Sequence, residues 1–172
     1  NNYVALLALS FSGAAFGFLP HNFNPAKLFM GDAGSMFIGY FLSTMGILTG
    51  KMAVNTMQNN LYYILPILLL SYAIFDISLV SYTRKRDGRR ISQGGKDHST
   101  HRIGTAMGSI KITALVVYLI NTIIALTAVL VLKLHSVHIL VISTVIYVVA
   151  FLFFARKLDK IPIVVPQNQL KG

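Results

Sequence analysis

The stretch NPAKLFMGDAGSMFIGYFL, Asn24 to Leu42, decides how this chain is folded. It passes without a break from a polar segment, holding Lys27 and Asp32, into an apolar one. If the apolar part crosses a membrane, the chain has an odd number of spans and its ends lie on opposite sides. A helical span takes roughly 20 mainly apolar residues. The segment from Ser35 to Gly50 is short and Gly-rich, so length alone does not settle it.

Composition sets the frame. Of 172 residues, 55% are hydrophobic and 12% charged, with a mean hydropathy of +0.66. Soluble domains carry about 25% charged residues, so an integral membrane protein is expected. There is no cysteine, which excludes a disulfide framework and a thiolate metal site. The net charge of +10 comes from 15 Lys and Arg against five Asp, with no Glu. Basic loops on the cytoplasmic face of a membrane protein account for that excess. A nucleic-acid partner is not expected, because the loops lack an aromatic-basic platform. The chain begins at Asn1 without an initiator Met or a signal-peptide pattern, which leads us to expect a fragment of something longer.

Five apolar segments are predicted as spans: Tyr3–Leu19, Ser35–Gly50, Leu61–Tyr82, Ile110–Leu132 and Val137–Ala155. Small residues recur in the first two, as expected of helices that pack closely. The fold class is therefore all-α, a polytopic transmembrane helix bundle of about five spans forming a single membrane domain over 1–172. Loops 20–34 and 83–109 and the tail 156–172 then fall on one face. Counting on to Lys111, where the fourth span begins, that face holds thirteen Lys and Arg, and the opposite face only Lys51 and Lys133. The positive-inside rule makes the basic face cytoplasmic, with the N-terminus outside and the C-terminus inside. This parity requires that the Ser35–Gly50 segment span.

Three constellations carry candidate chemistry. In Gly31-Asp32-Ala33-Gly34-Ser35, a carboxylate stands between glycines at a helix start. It either caps the helix or forms part of a metal or phosphate site at the helix mouth. In the loop Lys85–Gly104, His98 and His101 lie three apart, so on a helix they share a face. With Arg102 and Asp97 they suit a polyphosphate, whereas a zinc site would need further ligands. The basic run Arg84–Arg90 is expected to be a topology signal that meets anionic lipid headgroups. Asp76 is an ionisable residue inside a span, either functional or held structurally, as the partner of a neighbouring basic residue or in a buried hydrogen bond at the helix end.

Taken together, Asn22 to Ser35 (NFNPAKLFMGDAGS), Asp76, and Asp97-His98-Ser99-Thr100-His101-Arg102 in a basic loop resemble the polyprenyl-phosphate N-acetylhexosamine-1-phosphate transferases. These include the bacterial undecaprenyl-phosphate N-acetylglucosamine-1-phosphate transferases and, more distantly, phospho-N-acetylmuramoyl-pentapeptide translocase. The likeness covers most of this chain but only the C-terminal half of such an enzyme.

The resemblance implies transfer of a sugar-1-phosphate from a UDP-N-acetylhexosamine to a polyprenyl phosphate, with UMP released and Mg2+ as cofactor. It implies that Asp32 binds the metal and is catalytic, and that Phe29 stacks on uracil. Asn22 contacts the nucleotide, and His98 and His101, catalytic with Asp32, contact the diphosphate or its leaving phosphate. Lys27 and Arg102 count with Asn22 and Phe29 as substrate-binding. The setting implied is the bacterial plasma membrane, with the site facing the cytoplasm and the product feeding cell-wall or surface polysaccharide. A second copy, as a homodimer, is a candidate partner.

Two departures stand out. The family's adjacent aspartate pair and further Asp-rich motif are absent, so the chain alone is expected to be inactive. The middle of the histidine motif reads Ser99-Thr100. The alternative reading is a non-catalytic transporter or assembly subunit.

Overall fold

The computed structural model describes residues 2–92 and 94–162. The end of the expected cytoplasmic tail, with Lys171, lies outside the described residues. All regular elements among those described are helical: α1 (Asn2–Asn22), α2 (Gly31–Met57), a 3-10 turn (Asn60–Ile64), α3 (Leu65–Leu69), α4 (Ser71–Arg86), α5 (Ser99–Met107), α6 (Ile110–Leu134) and α7 (Val137–Asp159). Four of them, α1, α2, α6 and α7, are long and apolar enough to cross a membrane. The pair Asn60–Leu69 and Ser71–Arg86 makes a fifth if counted as one bent span. The segment of doubtful length is the longest helix of the set, at 27 residues.

The third expected span, Leu61–Tyr82, is not one straight helix. It is broken at Leu70 and bent by 64°. Its first half is irregular for local reasons. The Asn59 side chain accepts from Leu61 N–H at 2.9 Å and starts a 3-10 turn. Pro66 then removes a backbone donor just inside α3. Leu70 sits at φ −96°, ψ 9°, outside helical geometry, and α4 restarts after it.

The chain divides into two compact units at Pro66/Ile67. In the first, α2 packs against the 3-10 turn through two buried glycines. A Cβ on Gly50 would stand 3.2 Å from Pro66 Cδ and 3.3 Å from the Tyr62 carbonyl oxygen. The expectation that small residues permit close approach holds at Gly46 and Gly50. A Cβ on Gly13, Gly17 or Gly39 would meet nothing within 4 Å. Phe11 of α1 stacks on Phe41 of α2 with centroids 4.1 Å apart.

In the second unit α4, α5, α6 and α7 share a core of Tyr72, Phe75, Leu79, Ile103, Ile124 and Leu158. Phe75 stacks on Phe151 at 4.7 Å. Helices α6 and α7 are joined by His135 and Ser136 alone. His135 takes the left-handed conformation at φ 49° to end α6. Ser136 Oγ then accepts from Ile139 N–H to start α7.

Candidate functional site

The candidate residues fall in both units, and each group has its own geometry. In the first unit the loop after α1 folds back on itself. The backbone N–H groups of Lys27 and Leu28 both donate to His21 O, at 2.9 and 3.0 Å. Asn22 Nδ2 donates to Leu28 O at 3.0 Å. Asn22, expected at the nucleotide, thus spends its amide N–H bracing this loop. Lys27 and Phe29 are exposed, and Phe29 is 80% accessible.

Asp32 lies in the first turn of α2, one residue inside its start. The N-cap residue is Met30, and no side chain caps the helix. Gly31, at φ 67°, makes the turn into it. Of the two readings the sequence left open, the capping hydrogen bond is therefore not formed. Only the Asp32 backbone carbonyl is engaged, accepting from Ser35 Oγ at 2.9 Å. The carboxylate is exposed and makes no hydrogen bond or ion pair among the described residues. Helix N-termini favour negative charge, so the position suits a carboxylate without a protein partner.

A free, exposed carboxylate suits a hard cation that keeps several waters and takes one or two carboxylates beside phosphate oxygens. It does not make a cage: among the described residues no group of three His or Asp side chains could hold a metal. Asp32 therefore fits Mg2+ as one ligand of an ion held largely by its substrate.

In the second unit the histidine loop is built on buried charge. Asp97 is 2% exposed. Arg84 meets it in a fork, Nε to Oδ2 at 2.8 Å and Nη2 to Oδ1 at 2.6 Å, and donates Nη1–H to Ile91 O at 2.7 Å. Arg89 Nη1 stands 3.1 Å from Asp97 Oδ2. The Arg84 fork, helped by Arg89, holds the Asp97 carboxyl down at about 2. The basic run was expected to be a topology signal at the lipid surface. That reading is corrected for Arg84 and Arg89, which are buried and organise the loop. Lys85 and Arg90 remain exposed.

Arg102, expected to bind substrate, is also buried. It donates to Asp97 O at 3.0 Å, Leu158 O at 3.0 Å and Thr83 Oγ1 at 3.3 Å. Its guanidinium ties the loop to α4 and α7.

His98 and His101 stay accessible. His98 precedes α5 and its side chain is 43% exposed. Its Nδ1 lies 2.7 Å from Asp76 Oδ2, and the other Asp76 oxygen accepts from Ser99 N–H at 2.6 Å. Tyr72 OH and Ser99 Oγ are 2.9 Å apart. The His98 Nε2 makes no hydrogen bond among the described residues. The bond to Asp76 raises the His98 pKa. Desolvation, then the charges of His98 and Lys96, lowers that of His101.

Sequence reasoning left Asp76 without an assigned role and missed its bond to His98. The signal available was an acid inside an apolar run, but its partner is 22 residues away. A cavity of about 520 Å³ lies elsewhere in this unit, walled by Phe75, Leu79, Tyr147 and Phe151. It holds none of the expected site residues.

Comparison with known proteins agrees with the motif reading. Residues 1–50 match the model of glycosyl transferase family 4. The chain is 35% identical over 123 residues to the "Probable undecaprenyl-phosphate N-acetylglucosaminyl 1-phosphate transferase" of Bacillus subtilis (strain 168), covering 72% of this chain and 33% of that protein. It is 32% identical over 135 residues to the "Decaprenyl-phosphate N-acetylglucosaminephosphotransferase" of Mycobacterium tuberculosis (strain ATCC 25618 / H37Rv), covering 72% and 32%. A shorter match, 33% over 72 residues, is to the "Phospho-N-acetylmuramoyl-pentapeptide-transferase" of Microcystis aeruginosa, covering 42% and 20%. No solved structure matches. The chain spans about a third of the length of the first two relatives. The chain thus carries a match to glycosyl transferase family 4 over residues 1–50 and is similar over 72% of its length to polyprenyl-phosphate N-acetylglucosamine-1-phosphate transferases, the group that its motifs resemble.

Proposed function

We propose that the protein carrying this chain transfers N-acetylhexosamine-1-phosphate from a UDP-sugar to a polyprenyl phosphate in a bacterial plasma membrane. The observation that carries the reading is the Lys27–Asp32 loop, whose lysine, aromatic ring and carboxylate stand exposed together at a helix mouth. The relatives' names support the same chemistry. The product feeds a cell-wall or surface polysaccharide.

A phosphate oxygen of the lipid attacks the phosphorus that bears the sugar. The P–O bond to the uridylyl phosphate breaks, and UMP leaves with the bridging oxygen. One phosphoanhydride replaces another, so catalysis is mainly positioning and charge neutralisation. Bound Mg2+ would neutralise diphosphate charge. Asp32 would hold it, Phe29 would stack on uracil, and Asn22 would contact the nucleotide through the amide oxygen left free by its bond to Leu28. Lys27 would attract phosphate, and His98 and His101 would meet the diphosphate with their ring nitrogens. Arg102 would act by holding that loop in place. The basic face would be cytoplasmic, where a soluble UDP-sugar can reach it.

In native membranes, Asp32→Asn should lower Mg2+-dependent UMP release by at least about 100-fold. The 172-residue chain alone should release none. Turnover of the variant near the wild-type rate would sink the metal role.

A further inference from the structure

Asp76 sits in α4, within the bent third span, and both of its oxygens are used. One meets His98 Nδ1 and the other takes the Ser99 N–H, the first free donor of α5. His98 itself offers α5 no side-chain cap. A single carboxylate therefore sets both the ring and the helix start. We propose that Asp76 is a positioning residue for His98, fixing the ring through Nδ1 so that Nε2 is presented to a phosphate oxygen of the ligand. This rests on the reading of His98 as a diphosphate contact.

The geometry selects the ring's chemistry. A carboxylate at Nδ1 accepts its N–H, so the proton state of Nε2 decides what His98 does. As imidazolium, Nε2–H is a charge-assisted donor suited to a phosphate. The charged and titratable groups facing His98 are Asp76 and Arg84 of α4, Asp97 of the loop, and His101 of α5. Asp76 is the strongest of these influences and favours the imidazolium, followed by Asp97, while Arg84 opposes it.

The sign follows. His98 titrates above its ordinary value of about 6.5. The imidazolium–carboxylate pair is therefore fully charged below pH ~6.5, and its ionic character is lost as pH rises through the raised value and Nε2 gives up its proton, while the Nδ1–H bond to Asp76 remains. Without the carboxylate, Nε2 loses its proton at lower pH, and the alkaline limb of phosphate binding moves down with it.

The test is histidine-labelled NMR of the full chain in lipid nanodiscs, with inorganic phosphate as the probe. His98→Gln identifies the His98 signal. In wild type the signal should titrate above pH ~6.5 and respond to phosphate. In Asp76→Asn its midpoint should fall below the wild-type one, and phosphate should bind about 10-fold or more weakly. Asp76→Glu should recover part of both. Signals of His21, His135 and His138 report whether each variant keeps its fold. If Asp76→Asn unfolds the chain, the Glu variant and the wild-type phosphate response still decide. Coincident His98 midpoints in wild type and Asp76→Asn, or a His98 signal indifferent to phosphate, would overturn the proposal. Neither readout needs turnover: a phosphate-responsive His98 in this chain, beside native membranes of the whole protein that release no UMP from a UDP-sugar, would sink the transferase reading and spare this one.

Discussion

Asp97 shows how much of this loop depends on one side chain. Asp97→Ala would leave the Arg84 guanidinium, 6% exposed, with its fork empty. Stranding one partner of a buried ion pair costs about 3–5 kcal/mol. We expect lower thermal stability for the variant in nanodiscs and loss of the His98 environment in the same spectra. Asp97→Asn should cost less, because the amide oxygen still accepts one bond. The carboxyl titrates near 2, so its stabilisation is complete above pH ~4 and fades as pH falls toward 2. An alanine variant as stable as wild type would show the pair to be dispensable. At this scale the sequence was half legible. Asp32, His98 and His101 stood out by residue type and motif. The partners of Asp76, Asp97 and Arg102 did not, because each lies across a turn or on another helix, where no periodicity reaches.

At the scale of elements, apolar runs read well. Four of the five predicted spans correspond to single helices, which the structure extends beyond the predicted bounds, and the third, Leu61–Tyr82, is divided among a 3-10 turn, α3 and α4. The break at Leu70 was not legible, because hydropathy stays high through it; Asn59 and Pro66 were the only local signals. The close approach of the turn to α2 yields a prediction. Gly50→Val would drive a branched side chain into the Pro66 ring and the Tyr62 carbonyl. Such overpacking costs about 1–3 kcal/mol. Gly39→Val, where a Cβ meets nothing within 4 Å, is the control. Equal melting temperatures for the two variants would argue against the contact.

For the whole molecule, the distribution of charge is the main guide to sidedness. Thirteen of 15 Lys and Arg fall on one face if all five segments cross. Single cysteines at Ile91 and at Gln58, probed with a membrane-impermeant thiol reagent in intact cells, should differ. Gln58 should label from outside and Ile91 only after the membrane is opened. Labelling of both from outside would contradict the proposed orientation. This inference needs no structure, since the chain carries no native cysteine to confuse it.

The turn at His135 and Ser136 also bears on biogenesis. Two residues leave no slack for α6 to settle in a bilayer while α7 waits outside. If both helices cross, the pair forms one hairpin and the polypeptide re-emerges on the side it left. Stopping synthesis inside that turn would strand the new end on the far side. Removing the whole hairpin would leave the sidedness of everything before Ile110 unchanged.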